Sequence, residues 1–341
     1  MQVLAATSIN IRLAAAQLER GGLVAFPTET VYGLGGDAFN SDAVDRIYLA
    51  KGRPRNNPLI VHVDSIDAAR GLVDDAIATA WLDFALRFWP GPLTLIVQHN
   101  RALPAATTAA LPTIAIRQPA HAVARELLRT FSGPIAAPSA NRSGHVSPTS
   151  AAHVQHDFQH LSDDGDDDDL IVLDGGPSSL GIESTVLDLS QPDEVPVVLR
   201  LGSVTLEQLR EVDQRVRVFS PKEQTRSPGS SRAHYAPVTP CLLIERAELT
   251  DAICNARGQR VAVIQIGAAI ADVDGDAAAV CVITLPTNAE GYAAGLYDAL
   301  RRADAAGADV ILIERPPGVV NDADDGLWAA IIDRLTRATF R

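Results

Sequence analysis

Short apolar runs recur along the first two thirds of the chain. They lie at 22–26 (GLVAF), 59–63 (LIVHV), 93–97 (LTLIV), 113–117 (TIAIR), 134–137 (PIAA), 170–173 (LIVL), 184–189 (STVLDL) and 196–200 (PVVLR). Runs this short, rich in Val, Ile and Leu and bounded by turn residues, predict buried strands rather than helices. Between them, apolar positions recur at helical spacing in 10–20, 41–50, 75–88, 120–130 and 205–212. Ser41, just ahead of Asp42 and Val44, is a candidate N-cap. The first residues, ending at Gly21-Gly22, read as a short amphipathic helix. The alternation predicts a mixed α/β domain whose sheet has about seven or eight strands.

The pattern changes at 213–237, where Ser220-Pro221, Ser227-Pro228-Gly229 and Ala236-Pro237 interrupt a stretch without apolar period. That reads as a linker. Beyond it come strands at 241–244, 261–266, 280–284 and 309–313 and helices at 247–256, 288–306 and 322–338. This order predicts a small Rossmann-like parallel α/β domain. The expected organisation is 1–212, a linker or lid at 213–237, and a C-terminal domain at 238–341. No repeat is visible, and no apolar stretch reaches the ~18 residues of a membrane span.

The chain has 341 residues, 29 Lys+Arg against 42 Asp+Glu and a net charge of −13. That sign disfavours a life on duplex DNA or an anionic membrane. The charge is uneven, however. Residues 238–341 hold 9 basic and 15 acidic side chains, a net −6, which leaves −7 for 1–237. Six of those negatives are Asp163, Asp164, Asp166, Asp167, Asp168 and Asp169, which read as a solvated loop. The remainder of the first part is close to neutral and can carry a cationic site. Cys241, Cys254 and Cys281 form no CxxC pair, so neither a disulfide framework nor a zinc knuckle is expected. With no basic-then-apolar leader, a cytoplasmic protein is expected. Lys51 and Lys222 are the only lysines, which draws attention to Lys51.

Familiar chemistry motifs are missing: there is no GxxxxGK[ST], HExxH or GxSxG, and Gly33-Leu34-Gly35-Gly36 does not fit GxGxxG. What remains is a series of polar clusters at strand ends. Pro27-Thr28-Glu29-Thr30-Val31-Tyr32-Gly33-Leu34-Gly35 follows the run 22–26 directly; a tight solvent turn would have little need of its apolar members. Lys51-Gly52-Arg53-Pro54-Arg55-Asn56-Asn57-Pro58 concentrates three cations and two amides in a segment stiffened by two prolines, which suits a polyphosphate; a solvated basic loop is the alternative. His62 lies in an apolar strand, where a lone histidine is more often a core residue. Arg117 ends the strand beginning at Thr113 and could hold a carboxylate or make a surface ion pair. Pro138-Ser139-Ala140-Asn141-Arg142-Ser143-Gly144, Ser147-Pro148-Thr149, Gly181-Ile182-Glu183-Ser184-Thr185 and Arg200 complete the set. Each is weak alone; together they predict one ligand site.

In this order, PTETVYGLG, KGRPRNNPLIVH, SANRSG with a later SPT, GIESTVLDL and VLR resemble the threonylcarbamoyl-AMP synthase family over about residues 10–212. The linker SPGSSRAHYAP and the α/β tail resemble the family's two-domain form. The resemblance implies a YrdC-like twisted mixed sheet followed by the smaller domain. It implies synthesis of L-threonylcarbamoyl-adenylate from L-threonine, bicarbonate and ATP with release of pyrophosphate. The product would pass to a separate transferase complex that modifies the adenosine beside the anticodon in certain tRNAs.

By the same resemblance, Lys51 and Arg53 are the expected catalytic cations. The ATP set is Lys51, Arg53, Asn57, Thr113, Ala137, Ser139, Asn141, Ser147, Arg200 and Ser230. The threonine set is Thr30, His62, Arg117 and Ser184. Mg²⁺ is expected with ATP, and no metal ligands are legible. The linker departs from the family pattern at Ser230, Ser231 and Ala233, and Leu201-Gly202 follows Arg200 where Pro-Gly is usual. The linker is a candidate lid over a short-lived carbamate. Rival readings are an RNA-binding YrdC-like module, disfavoured by 5% aromatic residues and no basic stripe, and a carbamoyl transferase, disfavoured by the lack of acylphosphatase and zinc-finger segments.

Overall fold

The computed structural model describes residues 1–74, 80–159, 170–191, 193–219, 235–256, 258–268, 279–316 and 326–340. The aspartate run 163–169, Lys222 and most of the linker, Ser230 included, lie outside the described residues. The chain divides into two compact units. The first runs through Phe219 among the described residues, apart from Gly144–Val146 and Leu180–Ile182, which belong to the second. The boundary expected at 212 therefore falls inside the first unit.

In chain order the first unit contains β1 (Gln2–Ala5), α1 (Ser8–Glu19), β2 (Leu23–Phe26), β3 (Gly33–Asp37), α2 (Ser41–Lys51), β4 (Ile60–His62), α3 (Ile66–Arg70), α4 (Ala80–Phe88) and β5 (Leu93–Gln98). There follow α5 (Ala105–Thr108), β6 (Thr113–Arg117), α6 (Ala122–Phe131), β7 (Ile135–Ala136), α7 (Ala151–Phe158), β8 (Leu170–Asp174), β9 (Thr185–Asp188), β10 (Val197–Arg200), α8 (Leu206–Arg210) and β11 (Arg217–Val218). Among the described residues, eleven strands form one mixed sheet in the order β1-β8-β2-β3-β7-β4-β6-β5-β9-β10-β11. This is larger than the seven or eight strands expected. The additions are β1, β3 and β11, each in sequence that carries no strand signal.

The elements follow from local chemistry. Thr7 caps α1 by accepting from the Asn10 N–H at 3.3 Å. Asn40, rather than Ser41, caps α2; its amide oxygen accepts from Asp42 and Ala43, while Ser41 is the first helical residue. Helix α2 stops at Gly52 in the left-handed region, φ 59°. Helices α1 and α6 bury Ile11, Leu18, Leu127 and Leu128 against Val24, Phe26, Ile135 and Leu173 of the sheet.

The glycine motif Gly33-Leu34-Gly35-Gly36 is not a loop. It is strand β3, antiparallel to β2 with Phe26 opposite Gly33 and Val24 opposite Gly35. The polar cluster 27–32 is thus the connection of a hairpin. Gly35 is needed for close packing: a Cβ there would lie 2.7 Å from Ile135 Cγ2 and 2.8 Å from Phe26 Cε1.

The second unit carries β12 (Cys241–Ile244), α9 (Leu249–Asn255), β13 (Val261–Ile266), β14 (Ala279–Leu285), α10 (Ala289–Ala305), β15 (Val310–Glu314) and α11 (Leu327–Thr339). Its four described strands are all parallel, in the order β12-β15-β13-β14. This is the small parallel α/β domain the sequence predicts. Leu249 and Ile253 of α9 pack on Val261, Val263, Val310 and Leu312. Tyr235, the first described residue after the linker, stacks on Tyr297 with ring centroids 5.7 Å apart.

Gly35→Ala overpacks β3 against Phe26 of β2 and Ile135 of β7. It is expected to destabilise the first unit by about 2 kcal/mol, the usual scale for an added methyl without space, read as a shift in the urea midpoint at unchanged slope.

Candidate active site

Strands β4, β6, β5 and β9 are consecutive neighbours in the sheet. In parallel β4 and β6, His62 lies beside Arg117. In antiparallel β5 and β6, Leu95 faces Ile116, so one step further Thr94 comes opposite Arg117. In parallel β5 and β9, Thr94 lies beside Val186, two residues after Ser184. Side chains opposite one another, or two apart on a strand, share a face. His62, Arg117, Thr94 and Ser184 therefore stand on one face, one from each strand or its immediate approach. Beside them on that face Ile96, Ala115 and Val186, with Ile60 and Leu199, form an apolar cluster. The site has a polar row with an apolar floor next to it.

Arg117 is buried at 3% exposure and each of its three nitrogens makes a hydrogen bond. Nη2 donates to Glu29 Oε1 at 2.5 Å, Nη1 to Thr30 Oγ1 at 2.9 Å and Nε to the Gly91 carbonyl at 3.1 Å. The other Glu29 oxygen accepts from the Ala120 N–H at 3.1 Å. Burial alone would raise the Glu29 carboxyl, but the Arg117 charge and these hydrogen bonds outweigh it and hold it below the usual carboxylate range. Thr28 shapes the turn that delivers both residues: its hydroxyl donates to the Val31 carbonyl at 2.6 Å and accepts from the Thr30 N–H at 3.2 Å. Sequence reading placed Glu29 in the cluster but gave it no role; its partner 88 residues away is invisible to local pattern.

His62 is buried, meets Phe26 edge-on with ring centroids 6.0 Å apart, and its Nδ1 has no hydrogen-bond partner among the described residues. Burial, and then the neighbouring Arg117 charge, push it down to about 3, so the ring is neutral at physiological pH. An orphaned ring nitrogen on a polar row fits a ligand contact better than a satisfied core residue.

At the other end of the row, Ser184 Oγ lies 2.8 Å from Thr94 Oγ1 and accepts from Arg200 Nη2 at 3.0 Å. Arg200 Nε also donates to the Ser184 carbonyl at 3.0 Å. Arg200, expected with the ATP set, is thus joined to a member of the threonine set.

A second polar group surrounds the end of α2. Lys51 is 3% exposed, and its ammonium donates to the backbone carbonyls of Ser139 and Asn141. The Ser139 hydroxyl donates to Asn141 Oδ1 at 2.5 Å, and the Lys51 carbonyl accepts from the Ser143 N–H at 2.8 Å. Burial, and then the Arg53 charge, push Lys51 well below the usual lysine range. Arg53 folds the loop onto itself, donating to the carbonyls of Asn57 at 3.1 Å and Pro58 at 2.9 Å. Asn57 Oδ1 is buried and has no hydrogen-bond partner among the described residues. Arg55 pairs with Asp45 at the surface. The structure therefore brings together Lys51, Ser139 and Asn141, with Arg53 and Asn57 on the adjoining loop.

The remaining candidates are more dispersed. Ala137 is held by its N–H on the Ile60 carbonyl at 2.8 Å, beside the floor. Thr113 begins β6 on the Arg117 face, four residues and ~13 Å along the strand. Ser147 donates to Glu183 Oε1 at 2.6 Å, a buried pair that sequence reading did not connect. Among the described residues, no three His, Cys, Asp or Glu side chains come together to hold a metal ion.

Comparison with known proteins covers both units. Residues 16–202 match the family profile Sua5_yciO_yrdC, described as telomere recombination, and residues 204–339 match Sua5_C, the C-terminal domain of threonylcarbamoyl-AMP synthase. The threonylcarbamoyl-AMP synthase of Pyrococcus abyssi is 39% identical over 343 residues, 97% of this chain and 94% of that protein. That of Bacillus subtilis is 42% identical over 338 residues, 96% of this chain and 92% of the relative. The crystal structure of P. abyssi Sua5 complexed with L-threonine superimposes with a TM-score of 0.85 at 38% identity, covering 99% of this chain and 96% of that one.

Two outcomes test the electrostatics. Glu29→Gln leaves the buried Arg117 charge without its counterion and should cost about 3 kcal/mol in chemical denaturation, with part recovered in Glu29→Gln/Arg117→Gln. The unfolded His62 takes a proton below 6.5, whereas the folded ring resists it until about 3. The unfolded chain binds more protons across that window, so stability falls as pH drops through it. His62→Asn should flatten this part of the stability profile.

Proposed function

The chain belongs to the threonylcarbamoyl-AMP synthase family, and on that premise we infer that it forms L-threonylcarbamoyl-adenylate from L-threonine, bicarbonate and ATP, releasing pyrophosphate. It is an enzyme of this kind. The observation that carries the detailed reading is the polar row: a permanently charged Arg117, a neutral His62 with a free ring nitrogen, and a hydroxyl pair, set together on one sheet face. This suits a small amino acid with one carboxylate and one hydroxyl.

Arg117 would hold the carboxylate, since two of its five N–H groups remain beyond the three that Glu29, Thr30 and Gly91 engage. Thr30, His62 and Ser184 would read the hydroxyl or orient the amine. The amine nitrogen, as its neutral form, bonds to the carbon of bicarbonate, and water leaves to give an N-carboxylate. A carbamate oxygen then bonds to the α-phosphorus of ATP while the bond to the bridging oxygen breaks and pyrophosphate departs. Charge builds on that leaving group, and the protein's contribution is positioning and neutralisation.

Lys51 and Arg53 are the cations placed for this role, with Asn57, Ser139 and Asn141 on the same loops. Thr113, Ala137, Ser147, Arg200 and Ser230 complete the proposed nucleotide set, Arg200 also bracing Ser184. Mg²⁺ is proposed to enter on the nucleotide's phosphates, where it would offset their charge. The product would serve a separate transferase that modifies tRNA. A cytoplasmic setting is proposed; among the described residues no helix is long and apolar enough to cross a membrane.

Pyrophosphate release should require ATP, L-threonine and bicarbonate together; release that ignores threonine would overturn the reading. Lys51→Ala should reduce release by at least about a hundredfold with the fold intact by circular dichroism, as expected for a group acting on developing charge. A depressed Lys51 regains its proton when polyphosphate binds. Above the depressed value, ATP binding should therefore take up protons and weaken as pH rises, measured by calorimetry in buffers of different ionisation enthalpy.

A further inference from the structure

Thr94 lies in an apolar strand, fully buried at 0% exposure, and among the described residues its hydroxyl has one partner, Ser184 Oγ at 2.8 Å. Ser184 Oγ has two, Thr94 and the Arg200 guanidinium at 3.0 Å. Arg200 can only donate, so it occupies one Ser184 lone pair. The two hydroxyls then own two hydrogens but share a single contact. Whichever of them donates to the other, one O–H stays uncommitted. Cooperativity favours Arg200 donating to Ser184 and Ser184 to Thr94, which leaves the Thr94 hydrogen free at the end of a chain polarised by a cation.

That hydrogen belongs to the residue opposite Arg117 on the same sheet face. A buried donor is not left unmade without a reason, and between two guanidinium groups the fitting acceptor is an anionic oxygen. We propose that Thr94 is a positioning residue of the amino-acid site, the Thr94–Ser184 pair presenting one hydroxyl donor, oriented by Arg200, to a carboxylate oxygen that Arg117 also holds. This rests on the amino-acid site proposed above and adds a residue to it.

The test uses the full-length protein, with L-threonine binding measured by calorimetry and kinetics followed by pyrophosphate release. Thr94→Val keeps the shape and removes the donor. It should raise Kd and KM for L-threonine about tenfold, the scale of one hydrogen bond, with KM for ATP unchanged. Thr94→Ser should restore wild-type affinity. Because the pair acts as one donor, Thr94→Val/Ser184→Ala should lose no more than the worse single variant. Wild-type affinity in Thr94→Val, losses that multiply in the double variant, or a rise shared equally by ATP would each overturn the proposal while leaving the threonine site standing. Absence of L-threonine binding by the unmodified protein would remove the site itself, and this inference with it. A fall in affinity that Thr94→Ser does not rescue would mark Thr94 as packing alone.

Discussion

A guanidinium withdrawn from water at the end of a central strand is the constraint on which the first unit depends. Arg117 cannot shed its proton, so burial must be met by partners. They come from distant sequence: Glu29 and Thr30 from the β2–β3 connection, Gly91 from the approach to β5. Holding the connection over the end of β6 requires the hairpin to seat tightly, and Gly35 permits that by leaving room for Phe26 and Ile135. The turn is fixed in turn by Thr28. One charge thus organises a hairpin, a strand end and a loop before any ligand arrives, so little ordering remains for binding to cost.

Lys51 solves burial differently. Among the described residues no carboxylate hydrogen-bonds to it; two backbone carbonyls do, and burial, followed by the Arg53 charge, loosens its hold on the proton. An arginine in that position would be charged at all times and would need a permanent counterion. Lysine lets the charge strengthen when an anion enters. Among the buried cations, Arg117 is charged beside a resident carboxylate, whereas Lys51 is held by backbone carbonyls, as suits its proposed role toward the nucleotide's phosphates. The scarcity of lysine in the chain does not prove this, but the environment of Lys51 gives the residue type a physical reason.

The sequence exposed those parts of the fold in which local pattern and burial agree. Strands β4, β5, β6, β8 and β13 are built on short, mostly apolar runs, as buried strands are. Strand β3 was illegible because glycine carries no strand propensity; only Phe26, Ile135 and Ile47, crowding where Cβ atoms would be, make it a strand. Strand β1 hides in what reads as the start of a helix, and β11 in what reads as a linker, each stabilised by a parallel partner far away. In the site, Arg117, His62 and Ser184 stand out because they interrupt or end apolar runs. Thr94 does not, since a threonine in a strand is ordinary, and its role emerges only from register. Arg200 was visible but its neighbour was not, because β9 and β10 pair through a register shift.

Register is also what joins stability to recognition. Sliding β5 by one residue against β6 would turn Thr94 to the opposite face and leave Arg117 facing an apolar side chain. The cluster of Ile60, Ala115, Ile96, Val186 and Leu199 opposes such a slip, since each member would lose its neighbours on the same face. The apolar floor therefore does more than exclude water from the site. It fixes, to one residue, where the donors of four strands stand relative to one another, so the same packing that stabilises the sheet sets the spacing of the proposed amino-acid site.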